Sequence, residues 1–540
     1  MIDILIQNAE IIDGTNKPRY QGDIVIEGGK ISDILRSDDR KEGSPVRSAA
    51  KVIDASGRVV VPGFIDMHSH ADLTLMVAPE SESLVRQGIT TVVGGQCGLS
   101  PAPLSKKSKK EAMRTINVVG APQGSFPSDG VASFGAYLDY AASKKPAVNL
   151  VPLVAQGMVR AAVMGYQATR PNSDQIEEMR GLVEDSMQQG AFGISTGLIY
   201  PPGSFSSTEE LIEVVKPAAA YGGIYFSHIR NEAGELLESL QEAIRIGRET
   251  GLPVQISHLK AAGKANWEKA AAALDLIEAA RAEGLDVSAD MYPYTAGSTH
   301  LAALLPAWAV EGGMTSVFKR LLFPWERKKI IAAMKAGEGE VVEAIEWDKV
   351  LICRSSNPAH TLRYISDLAA AEGKDPYIWT LDALVKTLGN IGMVIILMAE
   401  ENVALKMQHP AVMFGTDGFG MATEGPMSTG MLHPRCFGTY PRIFGKYVRE
   451  EGLLSLEEAS WKASGFPAQK LGLKDRGTIQ KGLQADLVNF DPATIRDRAT
   501  YENPLQYPLG IDTVVVNGQI AFHEGQQSSR RFGIVVRLMG

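Results

Sequence analysis

Over the first sixty residues, apolar side chains come in short alternating or continuous runs: ILIQNAEIID, GDIVIEGGKISDI and KVIDASGRVVVPG. Gly, Asn and Asp punctuate them. That texture predicts short strands joined by turns. It returns only near the C-terminus, in ADLVNFDP and IDTVVVNGQIAF. Two strand-rich ends around a mixed centre predict one small β-sandwich built from residues 1–60 and 465–540. Between them, short apolar runs alternate with stretches of helical period, the pattern of repeated βα units. The expected strands are 64–67, 90–93, 149–154, 192–195, 223–227, 253–257, 286–289 and 412–416. The clearest helices are 208–220, 235–250 and 267–283. Eight such strands predict an α/β chain whose residues 61–464 form a (β/α)8 (TIM) barrel. The stretch from Thr295 to about Pro410 is far too long for one loop. An inserted cap subdomain is expected there, at 295–358, with helices nearby over 311–337 and 376–388.

Composition narrows the classes. The 540 residues carry 54 Lys plus Arg against 62 Asp plus Glu, a formal net charge of −8. That balance disfavours a nucleic-acid surface, which needs clustered cations. The one basic run, 106–110, reads as a solvated loop. Three cysteines, Cys97, Cys353 and Cys436, cannot make a disulfide framework. Their odd, low number fits a reducing cytoplasm. The start of the chain lacks the basic region and apolar core of a signal peptide. No apolar run reaches the ~18 residues of a membrane span. A cytoplasmic protein without membrane or nucleic-acid partners is expected. No fixed period suggests a solenoid.

The chemistry gathers at predicted strand ends. His68 and His70 follow the first barrel strand in DMHSH. Residues two apart on a strand point the same way, and the C-terminal ends of barrel strands are where sites are built. Cys97 follows TTVVGGQ, His228 ends GGIYFS and His258 ends PVQIS. A thiolate with imidazoles suits Zn²⁺. Read singly, Cys97 fits an inert buried thiol equally, and either histidine a satisfied core residue. Five ligand-type residues at four strand ends point instead to a transition-metal site. Asp417 ends VMFGTDG on the last strand. A carboxylate there can take a proton from attacking water and deliver it to a leaving amine; the alternative is an Asx turn.

In chain order, GFIDMHSH, QCG, SHIRNE, QISHLK, DMYPYTAGST, MFGTDG and HPRCFGTYPR resemble the amidohydrolase superfamily. Within it they resemble the D-aminoacylase group, the N-acyl-D-amino-acid deacylases. The resemblance covers nearly the whole chain. It implies a barrel carrying a small sandwich, with a cap inserted after the seventh strand. It implies one tightly held zinc on Cys97, His228 and His258. It also implies a weaker or partly filled second site on His68, His70 and Asp417, with Asp417 activating water. Many binuclear relatives bridge two metals with a carbamylated lysine from the fourth strand. This chain has STGLIYPPG there, with Tyr200 and no lysine, which argues against a dihydroorotase- or hydantoinase-type site.

Substrate-facing candidates follow from position. Lys260 lies two residues past His258, Tyr292 two past Asp290, and Tyr200 just past the fourth strand. The resemblance implies that Lys260 and Tyr292 bind the α-carboxylate and that Tyr200 polarises the scissile carbonyl. Ser298 lies in the segment 295–300 that should enter the side-chain pocket. That segment contains no Arg or Lys, so neutral or apolar side chains are expected. Arg230, Asn231 and Glu232 are expected to support the site from behind. His433 and Arg435 are placed at its entrance without a role. The expected activity is zinc-dependent hydrolysis of N-acyl-D-amino acids to a carboxylate and a free D-amino acid. The D preference follows from the resemblance alone. The alternatives are cyclic-amide opening, dipeptide hydrolysis, or a non-catalytic barrel, the last disfavoured because no ligand type is missing. The sequence does not set the oligomeric state.

Overall fold

A computed structural model describes residues 2–39, 48–106, 108–118 and 133–538. Apolar β-branched runs too short for helices make the barrel wall. Its strands are β1 (Phe64–Asp66), β2 (Ile89–Gly94), β3 (Asn149–Pro152, continued by Val154–Ala155), β4 (Gly193–Gly197), β5 (Ile224–His228), β6 (Val254–Ile256), β7 (Val287–Met291) and β8 (Val412–Phe414). Neighbours pair in parallel from β1 to β3 and from β3 to β8. The ring closes where Met67 N donates to Phe414 O (3.3 Å) and Asp417 N to His68 O (2.7 Å). Amphipathic helices such as Ser173–Gln188, Leu236–Thr250 and Lys269–Ala282 lie between the strands and bury one face each. Asn172 caps the first of these with a capping box.

The two ends of the chain meet in one nine-stranded sheet drawn from 2–62 and 487–527. Alternating residues divide its faces. Ile4, Ile6, Ile24, Ile26, Val60, Leu487 and Val515 share one core, while Val59, Val61, Val488 and Val514 face the barrel core. The sheet curls back on itself, because Ile31 N donates to Leu483 O and Gly482 N to Ile31 O. That is the sandwich built from both termini. Not all of 465–540 belongs to it. Helix Phe466–Leu471 packs against Ile65, Met67 and Val93 under the barrel. The last stretch returns to the barrel floor, where Leu150 N donates to Ile534 O and Val536 N to Leu150 O.

The insertion after β7 is larger than its expected limit of 358. It contains a four-stranded antiparallel sheet of Ala296–His300, Val350–Ser355, Arg363–Tyr364 and Ile391–Ile396. The last strand pairs with the first, Ser298 opposite Val394, so the unit cannot end before Ile396. Its helices, including Met314–Leu321, Pro324–Lys335 and Pro376–Lys386, bury a separate core around Trp379, Leu304 and Ile330. The basic run is not wholly loop, since Lys109 opens helix Lys109–Val118; Lys107 lies outside the described residues. Among the described residues no helix is long and apolar enough to cross a membrane.

Candidate metal centre

Strand ends deliver every sequence-predicted ligand to one cleft. His68 and His70 sit just beyond β1, where Thr416 N and Oγ1 bond the Asp66 carboxylate at 2.7 and 2.6 Å and tie that turn to β8. Cys97 follows β2 through a glycine-rich turn. A Cβ on Gly95 would lie 2.2 Å from Leu153 O, so only glycine fits that approach. Gly98 N donates to Ser195 Oγ (3.1 Å) and pins the turn to β4. Cys97, His258 and Asp417 all have left-handed backbones, with φ of +54°, +35° and +49°. Such conformations are costly and persist where surrounding structure holds them, often at functional sites.

The side chains converge. Cys97 Sγ lies 3.3 Å from His68 Nε2 and 3.5 Å from His258 Nε2. The His228 and His258 rings are 4.3 Å apart, edge to face. Asp417 Oδ1 is 3.2 Å from His70 Nε2 and 3.6 Å from His68 Nε2. Three triads therefore place their ligand atoms within 4.8 Å of one another: His68, Cys97 and His258; His68, His70 and Asp417; and His228, Glu232 and His258. All of these residues are buried. The grouping cuts across the expected division, because His68 stands between the thiol and the aspartate and serves both clusters.

Second partners orient the rings. Asp290 Oδ1 lies 3.5 Å from His68 Nδ1 and accepts from His258 N at 2.7 Å. Glu232 Oε1 lies 3.0 Å from His258 Nδ1 and 2.6 Å from Lys260 Nζ. Each arrangement turns an Nε2 toward the thiol. Of the three residues expected to support the site, only Glu232 reaches the imidazoles. Arg230 pairs with Glu242 (2.9 Å), and Asn231 Oδ1 accepts from the backbone of Ala233 and Glu235.

The electrostatics follow from burial among opposite charges. Burial opposes ionisation of Cys97, yet His68 and its neighbours hold the thiol well below its usual range. Burial also opposes ionisation of Asp417, but Arg435, His258 and His70 keep its carboxyl far below the ordinary value. Against burial, Asp417 and Cys97 raise His70 to about 9. His228 is lowered, chiefly by burial. Both of its ring nitrogens are buried without a hydrogen-bond partner. An imidazole whose nitrogens make no hydrogen bond, beside a thiol whose ionisation is favoured, fits a transition metal.

The substrate candidates line the same cleft, with Tyr200, Lys260, Tyr292 and Ser298 around it. Tyr200 Oη bonds Thr299 Oγ1 at 3.0 Å, and its ring stands edge-on to His228. Lys260 Nζ lies 5.9 Å from the Tyr292 ring centroid, with the Arg435 guanidinium at 4.9 Å. Tyr292 Oη is buried without a partner. Ser298 Oγ is 3.8 Å from Cys353 Sγ. Arg435 has a clear place: its Nη1 lies 2.7 Å from Asp417 Oδ2. His433 sits behind it, accepting from Arg435 N at Nδ1 (3.0 Å) and facing Ala296 O through Nε2 (3.1 Å). Seventeen residues, mostly irregular, separate Asp417 from Arg435, with no period to announce the pair.

A polar cluster at the C-terminal rim of a (β/α)8 barrel with a terminal sandwich defines the class. The amidohydrolase family model matches residues 51–522, and the chain belongs to that family. It is a hydrolytic enzyme. Its relatives are specific. The chain is 36% identical to D-aminoacylase of Alcaligenes xylosoxydans xylosoxydans, over 98% of this chain and 97% of that protein. It is 35% identical to the N-acyl-D-aspartate deacylase of the same organism, over 99% and 95%. Among solved structures it resembles N-acyl-D-glutamate deacylase from Bordetella bronchiseptica, complexed with zinc and a phosphonate inhibitor that mimics the tetrahedral intermediate. There the TM-score is 0.83 and the identity 31%, over 99% of both chains.

Proposed function

We propose that the protein hydrolyses the amide of N-acyl-D-amino acids with neutral or apolar side chains, using zinc. The observation that carries this reading is the meeting, at one cleft, of six residues of metal-ligand type with Lys260, Arg435 and an unpartnered tyrosine hydroxyl. Cys97, His228 and His258 would hold the metal most firmly, with His68, His70 and Asp417 beside a weaker second position. When bound, zinc supplies Lewis acidity toward the scissile carbonyl and toward water.

The chain's own residues do the rest. Lys260, Tyr292 and Arg435 face one another across the cleft and receive the α-carboxylate, an anion that Lys and Arg hold in different geometries. Tyr200 Oη donates to the carbonyl oxygen as negative charge develops there. Burial keeps the hydroxyl of Tyr292 protonated to about 12, so it donates rather than repels. Asp417 takes the proton of attacking water and returns it to the amide nitrogen as the C–N bond breaks. Arg435 on Oδ2 leaves Oδ1 as the working oxygen. The end of β4 carries Tyr200 and no lysine, which disfavours a carbamate-bridged cyclic amidase. The D configuration and the zinc are supported by the relatives. The test is a screen of N-acetyl-D- and N-acetyl-L-amino acids with and without a chelator. Turnover of D substrates that chelator abolishes and zinc restores is expected. Equal turnover of L substrates, or indifference to chelator, would overturn the reading.

A further inference from the structure

A second cavity adjoins the reaction cleft between the barrel rim and the insertion. The two share Leu99, Ile199, Tyr200, His300 and Val341. The second is the larger, about 240 Å³ against about 80 Å³. Val118, Leu305, Val310 and Met314 contribute to a mainly apolar lining. Arg230 also reaches it, but its guanidinium is consumed by Glu242 and the carbonyls of Ser204 and Ser206. Burial holds His300 at about 4, hence neutral at pH 7. None of the carboxylate-holding residues, Lys260, Tyr292 or Arg435, lines it, nor does Asp417.

The geometry decides which part of a substrate enters. The α-carboxylate and Cα lie at the Lys260 and Tyr292 end. A side chain leaving Cα meets Ser298, Ile395 and Met431, all on the first cleft and absent from the second. A trans amide is planar, so the acyl group departs on the far side of the carbonyl from Cα. With the carbonyl at Tyr200, that far side is the shared wall of Leu99 and Ile199. Resting on the proposed amide hydrolysis, we infer that the second cavity is an acyl-chain site. The enzyme's substrates are then D-amino acids carrying medium to long unbranched apolar acyl groups. With Arg230 already paired to Glu242, the lining offers no free counter-charge to a dicarboxylic acyl group. An acetyl group is far too small to need this volume.

The test is kcat/KM for zinc-loaded enzyme on N-acyl-D-methionines from acetyl to octanoyl. A buried methylene is worth about fourfold, so a rise of at least ~100-fold by octanoyl is expected. Ala303→Phe, which fills the cavity and touches no group that holds metal or carboxylate, should abolish the gain while leaving N-acetyl turnover within about twofold. Ala307→Trp at the exposed mouth is the second variant if the first fails to fold. The matched control lengthens the side chain instead, as N-acetyl-D-2-aminodecanoate. A flat or falling acyl series, or a gain that follows the side chain, overturns the acyl site while N-acetyl-D-methionine turnover leaves amide hydrolysis standing. Failure to hydrolyse any member removes the parent reading and this inference with it.

Discussion

Two of the buried polar clusters in this fold differ in how completely they are satisfied. Where the terminal sheet meets the barrel, Asp486 accepts from Arg476 Nη1 (2.6 Å), Asn149 Nδ2 (3.2 Å) and Asn517 N (2.6 Å). Asn517 Nδ2 closes the ring on Asn149 Oδ1 (2.8 Å) and Phe532 O (2.7 Å). Every donor there meets an acceptor supplied by the chain. At the barrel rim the chain does not close the account: both nitrogens of His228, the hydroxyl of Tyr292 and Nδ1 of His300 stay without partners. A buried polar group without a partner costs stability, so the rim is built for groups the chain does not provide. The junction uses buried charge to register two units; the rim uses it to receive a ligand.

The comparison breaks first at Cys97. Cys97→Ala should lose firmly bound zinc and turnover together, because three imidazoles lose the thiolate between them. Metal content and initial rate on one preparation check this; full zinc with normal turnover would remove the thiolate from the site. Next, Asp417→Asn should cost ~10²–10⁴-fold in kcat, since the amide cannot carry a proton at neutral pH, while zinc and fold persist. A folded, zinc-loaded variant within about tenfold of wild-type rate would sink the proton-transfer role. The junction should give the converse result. Asp486→Ala removes the acceptor that Arg476, Asn149 and Asn517 share and leaves Arg476 paired with Asp475; it should cost about 1–3 kcal/mol of stability, with specific activity of the folded fraction unchanged. A urea midpoint and an activity titration separate the two effects, and a drop in specific activity would mean that the junction also shapes the rim.

How far the molecule was legible beforehand follows the same division. Apolar runs of strand length announce β1 to β8, and His, Cys and Asp placed just past them announce the rim, because both signals are local. Pairings across long separations leave no such mark. Segment 296–300, AGSTH, has no apolar alternation and becomes a strand only by pairing with Ile391–Ile396. That is why the insertion extends beyond 358. The return of 534–536 to the barrel floor depends on backbone hydrogen bonds to Leu150, which no pattern in RFGIVVRL signals. The Arg435 to Asp417 ion pair and the reach of Glu232 to both His258 and Lys260 are likewise products of folding. Ligand types can be read by position, whereas the groups that tune them depend on tertiary neighbours.

The smallest effect expected is on side-chain choice, and it asks whether the lysine and arginine of the rim are spoken for. Among the described residues, the lysine and arginine lining the cleft are Lys260 and Arg435. Lys260 is held by Glu232 at 2.6 Å and Arg435 by Asp417 at 2.7 Å, and both face the place proposed for the α-carboxylate. The side-chain end offers Gly297, Ser298, Ile395, Leu397 and Met431. A second carboxylate there would be buried without a counter-charge, which is unfavourable by several kcal/mol unless water or a proton follows it in. N-acetyl-D-methionine should therefore exceed N-acetyl-D-glutamate in kcat/KM by ~10-fold or more at pH 7. The competing view takes its weight from relatives named as D-aspartate and D-glutamate deacylases: Arg435 would leave Asp417 and turn to the side-chain carboxylate. That view predicts D-glutamate turnover equal to or faster than D-methionine. It also predicts that Arg435→Gln would depress the acidic substrate far more than the neutral one. If Arg435 instead serves Asp417 and the α-carboxylate, the same substitution lowers both substrates by the same factor, so the ratio of the two losses decides between them.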